Sequence, residues 1–329
     1  MPLLLPTSET IAQLGKILRA GELAALPTET VYGLAADATN PEAVLKIYEA
    51  KGRPRFNPLI VHVENLEAAQ RYGQFNAHAQ QLAQAFWPGP LTLVVPYHHS
   101  KREHRAFEIP DLVRAGLPSI AIRVPAHPLM QQVLRATGRP LAAPSANKSG
   151  HVSATQASHV ANDFGPDLPI LEGGPCTLGL ESTIVDCTTP TPTLLRAGGL
   201  PRAEVEGVLG QTLRTFEPSN IEHAVKAPGM LLKHYAPKAK VRLNATHLEA
   251  GEALLAFGDS SFLRTSNLEH SNIRNLSPTS NLAEAALNLF ALLRDLDALN
   301  PTAIAVMPIP NEGLGEAIAD RLERAAAGR

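Results

Sequence analysis

Apolar residues recur every three or four positions through "SETIAQLGKILRA" (8–20), with Ile11, Leu14, Ile17 and Leu18 on one face. Ser8 is placed to cap this segment and Gly21 to end it, so a helix is predicted. "NPEAVLKIYEAKGRP" carries the same signature more strongly: Asn40 as cap, Pro41 in the first turn, Val44, Ile47 and Tyr48 on one face, Gly52 and Pro54 as the stop. Helices are also predicted over 77–86 and 127–138. Short apolar runs between them read as strands: Leu23–Leu26, "PLIVHV" (58–63), "LTLVV" (91–95), "SIAIRVP" (119–125) and "PLAAP" (140–144). "ESTIVDCT" and "PTLLRAGG" read as a hairpin on a Pro/Thr turn.

The texture changes at 217–240, where three prolines interrupt the pattern and a linker is expected. Beyond it, "EALLAFGD" and "TAIAVMPIP" read as buried strands. A helix carrying Leu282, Ala286, Leu289, Phe290, Leu293 and Leu296 on one face lies between them, and "LGEAIADRLERAAAG" closes the chain as another. Buried strands alternating with helices predict a small parallel, Rossmann-like α/β unit. The expected organisation is a large domain at 1–205, a linker at 206–240 and a small α/β domain at 241–329.

Composition narrows the function. Hydrophobic residues are 44% of 329 and charged residues 18%, which suits packed cores and excludes a disordered tail protein. Twenty-nine basic against 31 acidic residues argue against a general nucleic-acid coat or a polybasic membrane binder, so any anion site must be local. Cys176 and Cys187, without metal-ligand spacing, argue against structural zinc and suit a reducing cytoplasm. The N-terminus lacks the pattern of a secretory signal, and no run of 18 apolar residues predicts a membrane span.

Such a local site is suggested by "KGRPRFNPLIVHV" (51–63). Lys51, Arg53 and Arg55 leave a helix C-terminus, where the dipole favours cations, and Gly and Pro stiffen the loop. Asn57 adds an amide, and the following strand delivers His62 on the face of Ile60. The alternative is a solvated basic helix end. "SANKSG" (145–150), with Ser153 and Thr155, is either an ordinary polar turn or a phosphate cradle, but no P-loop pattern is present. "PTETVYGL" crowds Thr28, Glu29, Thr30 and Tyr32 at a strand end. Ser182 in "GLESTIVD", and Arg123 and Arg196 within apolar strands, pose one question: a buried Arg needs an anion or carbonyl partner.

Taken in order, "LPTETVYGL", "KGRPRFNPLIVHV", "FWPGPLTLVV", "SIAIRVP", "APSANKSG", "ESTIVD" and "LLRAGG" resemble the YrdC-like family. With "APGMLLKHYAPKAK" and the small α/β unit, the chain resembles the family's longer form, the threonylcarbamoyl-AMP synthases of tRNA modification. The resemblance implies a twisted open mixed sheet with helices around a basic cleft. It implies synthesis of threonylcarbamoyl-adenylate and pyrophosphate from L-threonine, bicarbonate and ATP with Mg²⁺, with no dedicated protein metal site. Downstream tRNA threonylcarbamoyl-transferase proteins would be partners, contact with tRNA itself would be weak, and the setting would be cytoplasmic.

The family's signatures fall on Lys51, Arg53, Ser145 and Asn147 as the catalytic set. Its nucleotide positions fall on Arg53, Asn57, Ser119, Ser145, Ser153, Arg196, His234 and Tyr235. Its threonine positions fall on Thr30, His62, Arg123, Ala143 (through backbone) and Ser182. The segment bearing His234 and Tyr235 is expected to return across the cleft mouth as a lid. Rival readings are an RNA-binding or regulatory nucleotide-binding YrdC-like protein without synthase activity, and a carbamoyl-phosphate-using transferase. The last is disfavoured because two Cys cannot supply its zinc fingers.

Overall fold

The structure, a computed structural model, describes residues 3–98, 108–216, 234–260 and 272–328. The first unit contains strands β1 (Ala24–Leu26), β2 (Gly33–Asp37), β3 (Ile60–His62), β4 (Leu91–Pro96), β5 (Ser119–Arg123), β6 (Leu141–Ala142), β7 (Thr183–Asp186), β8 (Thr193–Arg196) and β9 (Arg214–Thr215). Its helices are α1 (Ser8–Arg19), α2 (Pro41–Lys51), α3 (Leu66–Gln70), α4 (Ala77–Phe86), α5 (Asp111–Arg114), α6 (Pro128–Thr137), α7 (Ala157–Phe164) and α8 (Arg202–Leu209). The strands form one mixed sheet in the order β1-β2-β6-β3-β5-β4-β7-β8-β9. β3 runs parallel to β5, and β4 parallel to β7, while β4 and β5 are antiparallel.

Strand alternation divides this sheet into two faces. Val61, Leu93, Ile122 and Val185 point into the main core beneath the helices, each contributing about 1.5–3 kcal/mol by burial. Their neighbours His62, Thr92 and Arg123 fall on the opposite face, where His62 is paired with Arg123 and Arg123 with Thr92. A register shift between Ile184 and Val185 sets Arg196 across from Ile184, on that same face. Helix α2 forms where the pattern predicts it. Asn40 Oδ1 accepts from the Glu42 and Ala43 amides at 3.0 and 3.2 Å, and Gly52 ends the helix at φ +63°. In α1 the cap is Thr7 rather than Ser8: Thr7 Oγ1 accepts from the Thr10 amide, and Ser8 is already helical.

The second unit holds β10 (Lys240–Arg242), β11 (Ala253–Ala256), β12 (Ile273–Asn275) and β13 (Ala303–Val306), with α9 (Leu282–Ala298) and α10 (Leu314–Ala326). Its sheet is parallel throughout, in the order β10-β13-β11-β12. Val31, Val152, Leu180 and Tyr235, all outside this sheet, join its apolar core. The two units are therefore packed through loops that rim the functional face of the large sheet. Gly179, at φ +73°, is required there, because a Cβ would meet Leu287 backbone at 2.4 Å. α8 spans residue 205, and β9 extends the large sheet to Thr215. Of the expected lid, 217–233 lie outside the described residues.

Candidate active site

One face of the large sheet floors a cavity. Ile60 and His62 of β3 and Arg123 of β5 form its base. Thr30, Ala143, Pro144, Ser145, Ser182 and Arg196 rise around it, and His234 and Tyr235 border it from the far segment. Ten of the residues singled out in the sequence thus reach one cavity: Thr30, Arg53, His62, Arg123, Ala143, Ser145, Ser182, Arg196, His234 and Tyr235. Lys51, Asn57, Ser119, Asn147 and Ser153 are buried beside it without lining it.

One end of the cavity is organised by Arg123. Its Nη2 donates to Glu29 Oε1 at 2.6 Å, Nη1 to Thr30 Oγ1 at 2.8 Å and Nε to the Gly89 carbonyl at 3.2 Å. Thr30 Oγ1 is also 2.8 Å from Thr28 Oγ1. Three of the five guanidinium protons are committed, leaving two for an incoming carboxylate. Burial raises the Glu29 carboxyl, but the charge and hydrogen bond of Arg123 outweigh it, and the net shift is downward. Burial and the Arg123 charge push His62 down to about 3, so its imidazole is neutral. Ser182 Oγ sits 2.7 Å from Thr92 Oγ1, and the Ala143 amide donates to the Ile60 carbonyl at 3.2 Å.

A second group of buried cations adjoins it. Arg53 Nε and Nη2 donate to the Asn57 and Pro58 carbonyls at 3.2 and 2.9 Å. Arg196 Nη2 reaches Ser182 O and Oγ at 2.8 and 3.1 Å. Lys51 Nζ donates to the Ser145 carbonyl at 2.6 Å and to the Asn147 carbonyl, fastening the "SANKSG" loop to the end of α2. Burial, then the neighbouring Arg53, holds Lys51 well below the usual lysine range. Burial also brings Arg53 down to about 10 and lowers Arg196. These desolvated cations are placed to gain from an anion. Arg55, by contrast, is exposed and takes no part.

Several buried polar atoms in and around the cavity have no hydrogen-bond partner: Asn57 Oδ1, His62 Nδ1, Asn147 Oδ1, His234 Nδ1 and Glu29 Oε2. Their concentration here marks a place built for a polar ligand. Ser119 begins β5. It pairs with Pro96 of β4 at the opposite end of the strand from Arg123. Ser153 Oγ donates to Glu181 Oε1 at 2.5 Å. His234 and Tyr235 meet edge to face at 4.1 Å, and Tyr235 stacks on Phe290 of α9 at 5.6 Å. Glu181 and Val31 also line the cavity but had not been singled out. Glu181 stood in the open beside Ser182 in "GLESTIVD", yet nothing local marks it, because its charge partner is Arg321.

A family profile described as "Telomere recombination", covering the Sua5, YciO and YrdC group, matches residues 16–198. A second, described as "Threonylcarbamoyl-AMP synthase, C-terminal domain", matches residues 200–327. The threonylcarbamoyl-AMP synthase of Pyrococcus abyssi is 39% identical over 332 residues, 95% of this chain and 92% of the relative. The chain belongs to the threonylcarbamoyl-AMP synthases. The synthase of Bacillus subtilis is 38% identical, over 97% of this chain and 93% of its own. Among solved structures, P. abyssi Sua5 complexed with L-threonine superposes with a TM-score of 0.86 at 36% identity, covering 98% of this chain and 95% of that one. A His–Tyr double-alanine variant of the same protein also gives 0.86, at 34% identity, over 99% and 97%. The family assignment thus spans both units and not the YrdC-like part alone.

Proposed function

We propose that this synthase joins L-threonine, bicarbonate and ATP in the cavity over β3, β5, β7 and β8, yielding threonylcarbamoyl-adenylate and pyrophosphate. The observation that carries the assignment is that two sets of side chains line one cavity: Thr30, His62, Arg123, Ala143 and Ser182, and Arg53, Ser145, Arg196, His234 and Tyr235, the sets meeting where Arg196 Nη2 reaches Ser182 Oγ at 3.1 Å. The first set takes threonine. The free protons of Arg123 receive its carboxylate, and neutral His62 with Ser182 and Thr30 offers uncharged polar contacts. The second set takes ATP, together with Asn57, Ser119 and Ser153.

The threonine amine and bicarbonate condense to a carbamate with loss of water. A carbamate oxygen then attacks the α-phosphorus, and pyrophosphate leaves. Both partners are anions, so the site must offset their repulsion and hold them in line. Lys51, Arg53 and Arg196 supply positive charge, and Lys51 fixes the carbonyls of Ser145 and Asn147. Among the described residues no cluster of His, Cys, Asp or Glu fits a metal ion. Mg²⁺ would travel on ATP phosphate oxygens and water.

A labile mixed anhydride has to be passed on, so the protein partners are those that transfer threonylcarbamoyl to tRNA, a cytoplasmic task. No described helix is long and apolar enough to cross a membrane. The test is mass-spectrometric detection of threonylcarbamoyl-adenylate from the three substrates. Its formation, and its loss when threonine is omitted, are expected. ATP binding without this product would overturn the reading in favour of a regulatory nucleotide-binding protein.

A further inference from the structure

Arg321 belongs to α10 in the second unit, and it is fully buried. Its guanidinium nevertheless reaches the first unit. Nε donates to Glu181 Oε2 at 2.9 Å and Nη2 to the Ala197 carbonyl at 2.9 Å, while Nη1 bonds Asp320 Oδ2 at 2.5 Å. Its Cζ lies 5.1 Å from the ring centroid of Tyr235. Glu181 and Tyr235 line the cavity, and Ala197 follows the cavity residue Arg196. One buried side chain of the C-terminal domain therefore braces three points of the wall.

The chemistry of Glu181 explains the need. A carboxylate beside ATP phosphates would repel them. Here Oε2 is held by Arg321 and Oε1 by Ser153 Oγ at 2.5 Å, so both oxygens are committed and the charge is matched. An arginine suits the position because its planar fork meets a carboxylate, a carbonyl and a ring together, which a lysine point charge cannot do. We propose that Arg321 is a positioning residue of the synthase site, holding Glu181 and Tyr235 so that the nucleotide-binding set of side chains is completed by the C-terminal domain. This rests on the assignment of that set to ATP.

The test is steady-state pyrophosphate release by full-length R321M and R321K, with ATP varied at saturating L-threonine and then the reverse, well below each variant's Tm. R321M is expected to raise KM for ATP about tenfold or more, the equivalent of about 1.4 kcal/mol, with KM for threonine unchanged. R321K, which keeps the charge but not the fork, should fall between. A residue that only glues the domains would lower Tm and leave both KM values alone, and that result overturns the proposal. Should R321M fail to fold, R321K decides: a raised KM for ATP supports positioning, and a wild-type value overturns it. In a cycle with E181Q, the double variant should be less impaired than the product of the single effects. Independent effects would overturn the link through Glu181. Wild-type protein that releases no pyrophosphate would refute the cavity assignment itself, whereas active wild type with an unaltered R321M refutes this inference alone.

Discussion

Replacing Arg123 by Met should expose how much of the threonine end is held by one buried ion pair. The Arg123 and Glu29 side chains are 4% and 10% exposed and meet at 2.6 Å. Removing one member of such a pair leaves an uncompensated buried charge, at a cost of about 3–5 kcal/mol. The Gly89 carbonyl also loses its donor, while Thr30 Oγ1 keeps Thr28. Against a total stability of about 5–15 kcal/mol, the loss is about a fifth or more. At about 2–4 °C per kcal/mol for a unit of this size, Tm should fall by about 6–20 °C.

Thermal unfolding followed by circular dichroism reads this directly. The E29Q/R123M double variant, which buries no net charge, should recover more than half of the loss. The pH dependence has a defined sign. The folded Glu29 carboxyl lies below its ordinary value of 4.5, so the pair stabilises above that pH and the benefit is lost as pH falls through the lowered value. The gap between wild type and R123M should therefore narrow as pH falls, from the value to which burial raises the Glu29 carboxyl in the variant down to the lowered wild-type value. An R123M protein with wild-type Tm at neutral pH, or a double variant no better than the single, would refute the reasoning.

Lys51→Met should cut the pyrophosphate-release rate by about a hundredfold or more, the scale of losing a preorganised electrostatic contact, with far-UV circular dichroism unchanged; wild-type turnover would remove Lys51 from the catalytic set. Gly198→Ala should abolish threonine binding in calorimetry and lower Tm, because a Cβ there would meet the Glu181 carbonyl at 2.4 Å and Ser182 and Thr183 backbone at 2.5 Å. His62, with its pKa pushed down to about 3, should show no NMR titration between pH 5 and 8. It should also cost stability increasingly as pH falls from 6.5 towards 3, where only the unfolded imidazole protonates; an H62N variant with unchanged acid sensitivity would contradict this. Burial pushes the Cys176 and Cys187 thiols up to about 12, so neither should react with a thiol reagent at pH 8 until the protein is denatured.

What could be read from the sequence was what neighbouring residues encode. Asn40, Pro41 and Gly52 bracket α2 with local chemistry, and alternation in "PLIVHV" puts His62 on the face of Ile60 without reference to the rest of the chain. The order of strands is not local, and neither is the pairing that brings β6 between β2 and β3. β2 escaped notice because "GLAAD" is built of small residues with little strand preference. The site was legible as far as its residues sit in long ordered motifs, which is why Lys51, Arg53, Ser145 and Arg123 could be named. Glu181 could not be, since its meaning comes from Arg321, 140 residues away. His234 and Tyr235 were named only through the family resemblance; the Tyr235 ring packs against Phe290 and Arg321, both in the second unit.

The central claim is that this one cavity couples L-threonine to cleavage of ATP at the α-phosphorus. The most direct test is pyrophosphate release from ATP and bicarbonate, with and without L-threonine, by the full-length protein. The expected result is release that requires threonine, with L-serine a poorer substitute. Folded, ATP-binding protein whose pyrophosphate release is absent, or indifferent to threonine, would contradict it.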